Sequence, residues 1–188
     1  MNTSLKIIKW LLENKKKASI KTLATAIKID YKNTYEAVKK LTEKKILRTE
    51  KFGNTSEVSL VYALSPLLYE AEQIRKQNLS KNFTLVKDYF IKGLDTKLYV
   101  MLLFGSHARG TNTKNSDIDL LFIIPNGSSI ERDILRVILT IPLDLHPTII
   151  TEKDFLLMKD SKQKTIVSEA IENNIILYGI EAYYEMLQ

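Results

Sequence analysis

Apolar residues recur at helical spacing through the N-terminal part of the chain. Leu5, Ile8, Leu11 and Leu12 share one face of a helix expected over residues 4–13, with Ser4 as its N-cap. Leu23, Ala24 and Ile27 form the stripe of a second, short helix over 20–27. The break Lys28-Ile29-Asp30 precedes a third helix over 31–44, in which Val38 and Leu41 face inward. From Ile46 to Phe52 and from Val58 to Leu64 the period changes to two, as in half-buried strands, and Gly53-Asn54-Thr55 between them reads as a turn.

Three helices followed by a hairpin is the order of a winged helix-turn-helix, expected here over residues 1–65. Ser65-Pro66 ends the hairpin, and a helical connector follows over 66–92, with the proline suited to a first helical turn. Its apolar positions Leu67, Leu68, Ala71 and Ile74 would close the domain or form a homodimer seam. The remainder, 93–188, alternates strands and helices. Strands are expected over 98–104, 118–124, 143–149 and 175–178, and helices over 129–139 and 162–173, with a last helical turn at the end. That alternation makes the second domain α/β or α+β.

Composition removes several chemistries. The 188 residues include no cysteine, which excludes disulfide frameworks, thiolate zinc sites and cysteine nucleophiles. No apolar run approaches the roughly 20 residues that cross a bilayer. The opening Met1-Asn-Thr-Ser-Leu-Lys lacks the pattern of a signal peptide, so a soluble, cytoplasmic protein without a membrane partner is expected. Charge is uneven. Residues 1–65 carry 14 basic against 6 acidic side chains, a net +8, whereas 66–188 carry 14 against 16, a net −2. A basic module facing a polyanion, joined to a module with another task, accounts for this split.

The chemistry concentrates in Gly105-Ser106-His107-Ala108-Arg109-Gly110 and, five residues later, Ser116-Asp117-Ile118-Asp119-Leu120. Leu98 to Phe104 is continuously apolar, as in a strand covered on both faces, and it ends at Gly105-Ser106. Free N–H groups of such a turn and the Ser106 hydroxyl suit a phosphate. Asp117 and Asp119 lie two apart at the start of the next strand, so their carboxylates share a face and repel. A divalent cation compensates them. Oxygen donors without cysteine point to Mg²⁺ or Mn²⁺, with two ions expected. Two ions need a further carboxylate, for which Asp144 in Pro142-Leu-Asp-Leu-His146 is preferred. Asp154 competes, but Thr151-Glu-Lys-Asp-Phe reads as a helix start. His107 and His146 lie close to this site; a metal or acid–base role competes there with a supporting or structural one, which is preferred for both.

The motif from Gly105-Ser106 to Gly110, with Ser116-Asp-Ile-Asp-Leu120, resembles the signature of the DNA polymerase β-like nucleotidyltransferase superfamily, above all its minimal members. The resemblance spans about 90–178. It implies a small mixed sheet with packed helices, and hence an α+β chain overall. It implies metal ligands at Asp117, Asp119 and Asp144, which are also the expected catalytic residues, and a triphosphate held at Gly105 and Ser106. Arg109, Gly110 and Ser116 fill further motif positions and are counted as nucleotide-binding. The implied reaction transfers a nucleoside monophosphate from an NTP, with ATP expected, to a protein or nucleic-acid acceptor. Minimal members often act as antitoxins toward a toxin of the HEPN ribonuclease class, which makes such a partner an expectation here.

For the basic module, DNA is the expected partner. Lys32, Asn33, Thr34 and Tyr35 open the third helix, Lys39 and Lys40 lie further along it, and Lys51 sits in the wing. Asn and Thr suit base edges and the lysines suit phosphates. The rival reading is a DNA-binding regulator whose second domain only senses nucleotide or docks a partner.

Overall fold

A computed structural model describes residues 1–14, 17–53 and 55–188. Lys15 and Lys16 of the lysine run, and Asn54 of the expected turn, lie outside the described residues. Two compact units divide the chain: Met1–Arg75 with Leu187–Gln188, and Lys76–Met186.

In the first unit, α1 (Thr3–Asn14), α2 (Ile20–Ile27) and α3 (Tyr31–Glu43) precede the hairpin β2 (Leu47–Phe52) and β3 (Thr55–Leu60). A two-residue strand β1 (Ala18–Ser19) adds to the free edge of β3, giving the antiparallel order β1-β3-β2. This is a winged helix-turn-helix arrangement. Its core is the expected apolar stripe, with Leu5, Ile8, Leu11, Leu12, Leu23, Ile27, Val38 and Leu41 all buried. Capping fixes the helix starts. α1 begins ahead of Ser4, because the Asn2 side chain accepts the Leu5 N–H at 2.9 Å. Ser19 caps α2 through the Thr22 N–H, and Asp30 caps α3 through that of Asn33. β3 starts and ends three to four residues earlier than the alternation predicts. Pairing zips from Phe52↔Thr55 to Leu47↔Leu60, after which Val61 donates to the Ile46 carbonyl and β2 offers no further partner. The expected connector is two helices, α4 (Pro66–Gln77) and α5 (Lys81–Gly93); Leu68 and Ala71 of α4 are buried.

The second unit is built on a four-stranded mixed sheet, β6-β5-β4-β7. β4 (Val100–Leu103) is antiparallel to β5 (Ile118–Ile124) and to β7 (Ile175–Tyr178), while β6 (Leu145–Thr151) runs parallel to β5. Helix α6 (Gly105–Arg109) follows β4, and α7 (Ile130–Ile138) makes the β5–β6 crossover that parallel pairing requires. Helices α8 (Glu152–Lys159), α9 (Ile166–Glu172) and α10 (Ile180–Leu187) complete it. Ile118, Leu120, Phe122 and Leu145 share one core with Phe83, Phe90 and Ile134 from α5 and α7. The alternate positions Leu121 and Ile123 are equally buried, so β5 is covered on both faces, in keeping with its unbroken apolar sequence. β4 starts at Val100 rather than Leu98, whose side chain is 72% exposed. Among the described residues no helix is long and apolar enough to cross a membrane.

Candidate active site

The β5–β6 register assembles the site. Ile118 pairs with Leu145 and Asp119 with His146. Since Ile118 and Leu145 enter the core, Asp119 and His146 project to the opposite face, and Asp117 and Asp144 follow at the same parity. Asp144 precedes β6, anchored by the Ile118 N–H donating to its carbonyl at 2.9 Å. Asp117 and Asp144 are exposed; Asp119 is half-buried.

β4 delivers the Gly105-Ser106 turn to the same place. The Phe104 N–H donates to the Asp119 carbonyl at 3.1 Å, and the chain then turns at Gly105 with φ +68°. A Cβ at Gly105 would overlap Oδ2 of Asp119, so only glycine lets the turn approach this carboxylate. Rather than an open turn, residues 105–109 form the short helix α6. Its first-turn N–H groups have no partner within the helix, which is the disposition a phosphate needs. An open cleft of about 860 Å³ lies here, lined by Gly105, Ser106, Arg109, Asp119 and His146 together with Thr148, Lys164, Thr165 and Glu169.

The electrostatics of the cleft leave one carboxylate poorly compensated. Burial pushes the Asp119 carboxyl above its usual range; His146 offsets this in part, and Asp117 and Glu169 add to it. The donor set of carboxylate oxygens, one of them half-buried against like charges, fits a hard divalent cation. Asp117, Asp144 and His146 bring one ligand atom each to within 4.8 Å of one another, the one such group of three among the described residues. Asp119 is not a member of that trio, because its carboxylate packs against the Gly105 turn.

Several expected residues take other places. Gly110, at φ +68°, ends α6 in the left-handed conformation, with its N–H directed to the His107 and Ser106 carbonyls. Like Asp117 and Asp144, it is not among the residues that line the cleft. The Ser116 hydroxyl accepts the Thr113 N–H at 2.8 Å, which closes the 113–116 turn. His107 has the structural place expected of it, with Nε2 3.1 Å from the Ser116 carbonyl and its ring edge-on to Phe83. Asp154 bonds the Thr151 hydroxyl at the start of α8, as its helix-start sequence implies. The sequence does not single out Glu169, and it gives His146 a supporting or structural role ahead of a metal one; both line the cleft. Glu169 pairs with Arg109 at 2.9 Å across 60 residues, and no local pattern announces it. His146 stands among the carboxylates rather than behind them, and a local signal for this exists: its i, i+2 spacing from Asp144 repeats that of Asp117 and Asp119.

In the first unit Lys32, Asn33, Tyr35, Lys39, Lys40 and Lys51 are exposed. Thr34 is not available to a base edge. It is fully buried, and its hydroxyl donates to the Asp30 carbonyl at 2.9 Å. Asn33 is partly engaged, its side-chain amide donating to Asp30 at 2.6 Å. Tyr31 and Tyr35 stack at 6.3 Å between centroids on the outer face of α3.

Residues 87–173 match the family model described as nucleotidyltransferase domain, a span that holds every residue of the cleft. No curated protein matches the chain. Among solved structures, the chain is similar to reduced HlyU from Vibrio cholerae (15% identity, 43% of this chain and 80% of that one, TM-score 0.36). It is also similar to the adhesin competence repressor AdcR from Streptococcus pyogenes (19%, 49% and 77%, TM-score 0.35). A third is a toxin-antitoxin structure with AMP-PNP (18%, 56% and 79%, TM-score 0.38). Likenesses this distant leave the functional reading to the family match and the geometry.

Proposed function

We propose that the chain is a divalent-metal-dependent nucleotidyltransferase that moves a nucleoside monophosphate from an NTP to a protein or nucleic-acid acceptor, and that its winged helix binds DNA. The observation that carries this reading is the approach of Gly105 to Asp119. It sets the Gly105-Ser106 turn against a half-buried carboxylate, in a cleft large enough for a nucleotide, which supports a phosphate bound there.

Asp117, Asp119 and Asp144 would hold Mg²⁺ or Mn²⁺, which when bound neutralises phosphate charge and sharpens the acceptor oxygen as a nucleophile. The chain's own groups do the rest. Ser106 and the free N–H groups of α6 grip the terminal phosphates, and Arg109, exchanging Glu169 for an anionic oxygen, adds a cation. Asp144, exposed beside His146, takes the proton of the acceptor hydroxyl. The acceptor oxygen forms its bond to the α-phosphorus as the α–β bridge breaks, and pyrophosphate leaves. The walls at Thr148 and Thr165 are positioned to meet the nucleoside or the acceptor.

The test is incubation with Mg²⁺ and each α-labelled NTP, with lysate of the source cell supplying acceptors. A labelled macromolecule is expected, lost in the Asp117→Ala/Asp119→Ala variant while its circular dichroism is unchanged. Its size identifies the acceptor class and tests the antitoxin expectation, for which a labelled toxin is required. Nucleotide binding without transfer would favour the regulator that senses nucleotide.

A further inference from the structure

We infer that His146 is a metal ligand, and that with Asp117 and Asp144 it forms a mixed nitrogen–oxygen set that holds Mn²⁺ in preference to Mg²⁺. This deepens the proposed function and rests on its divalent-metal site. A wholly carboxylate site has no reason to discriminate strongly between these two hard ions, whereas an imidazole donor favours the transition metal.

The geometry carries the assignment. His146 Nε2 lies 3.8 Å from Asp117 Oδ2 and 3.8 Å from Asp144 Oδ1. Those separations exceed a hydrogen bond, so the ring is not simply paired with either carboxylate. Two ligands of one ion, each about 2.1 Å from it, stand roughly 3 Å apart when adjacent and about 4.2 Å when opposed. A separation of 3.8 Å falls inside that range. The parallel register makes the placement structural: Asp119↔His146 pairing, with Ile118 N–H on the Asp144 carbonyl, brings the ring to the carboxylate face beside the cleft. All three side chains are exposed, so small rotations suffice to close on an ion.

The rival role for His146 is a protonated counter-charge that stands in for a cation. The two roles predict opposite effects on metal binding. Mn²⁺ binding to the full chain is read from loss of the free-ion electron paramagnetic resonance signal, and Mg²⁺ binding from competition against it. The expectation is tighter Mn²⁺ than Mg²⁺. His146→Ala should weaken Mn²⁺ about 10-fold or more while Mg²⁺ changes by less than about 3-fold. Electron spin echo modulation of bound Mn²⁺ should show directly coordinated ¹⁴N in the wild type and none in His146→Ala. Unchanged or tighter Mn²⁺ binding in the variant, no ¹⁴N coupling, or no Mn²⁺ binding at all would each overturn the inference. Circular dichroism of the variant guards against loss of fold, and His146→Gln, which keeps the polarity, provides a second variant. The transferase reading is separately read from label transfer. Transfer with no imidazole coordination sinks the ligand assignment alone; imidazole coordination with no transfer in any lane sinks the transferase alone.

Discussion

The outer face of α3 and the carboxylate end of β5 and β6 are both charged and exposed, yet they are built in opposite ways. On α3, Lys32, Tyr35, Lys39 and Lys40 stand clear of the core, held only by the helix they ride on. At the sheet end, Asp117, Asp119, Asp144 and His146 are set by strand register, and Gly105 is pinned to glycine by one carboxylate. A surface that meets a uniform polyanion needs charge density, and each side chain contributes separately. A site that does chemistry needs a few groups at fixed separations, and the loss of one disables the rest. Substitutions on α3 should therefore add up, and those at the sheet end should not.

The largest effect is expected at Gly105. Gly105→Ala places a methyl group on Asp119 Oδ2 at a positive φ, and should lower transfer by about 100-fold or more, as misplacement of a reacting group does. Adding Asp119→Ala to it should cost little further, which a kinetic double-mutant cycle would read; full additivity would place the two residues in separate machinery. On α3 the outcome is graded. Lys32→Ala and Lys39→Ala should each weaken DNA binding and reduce the slope of log K against log salt by about 0.9 for each phosphate no longer neutralised. The double variant should show the sum. A flat salt response would rule out DNA as the partner of this face.

Two smaller predictions concern pH and run in opposite directions. Burial holds the Asp119 carboxyl above its usual value, so the folded chain takes up this proton more readily than the unfolded one. The resulting stability is complete below the ordinary carboxylate range and is lost as pH rises through the raised value. At neutral pH the ionised group is a burden, and Asp119→Asn should raise the Tm of the metal-free protein on the order of 2 °C, with the gain fading under acid. Asp30 shows the reverse. The Asn33 backbone N–H and side-chain amide stabilise its ionised carboxyl and hold it below its usual value. Its stability is present above the ordinary range and lost as pH falls through the lowered value. Asp30→Ala should give a small Tm loss at neutral pH that disappears in strong acid. Thermal melts across pH check both.

Legibility in the sequence follows the same division. α2, β5 and β7 have the boundaries expected of them, because apolar pattern and end signals coincide there. β1 is two residues long and carries no periodicity; only pairing with β3 makes it a strand. The shift of β3 has a similar cause, since hairpin pairing overrode a pattern that continued to Leu64. The Gly105-Ser106 turn and the Asp117/Asp119 pair lie where the sequence puts them, because both are local features. Glu169 has no such local signal, since its partner Arg109 is brought to it by the fold. At Thr34 and Ser116 the sequence does not show that a short hydroxyl at a helix start or turn is engaged by nearby backbone.

In the proposed reaction the bond broken lies between the α- and β-phosphates. Parallel reactions with α-labelled and γ-labelled ATP, the same acceptor and the same Mg²⁺ test it directly. The expected result is α-label on the acceptor and γ-label released as pyrophosphate. γ-Label on the acceptor or released as free phosphate, with no α-label transferred, would contradict it.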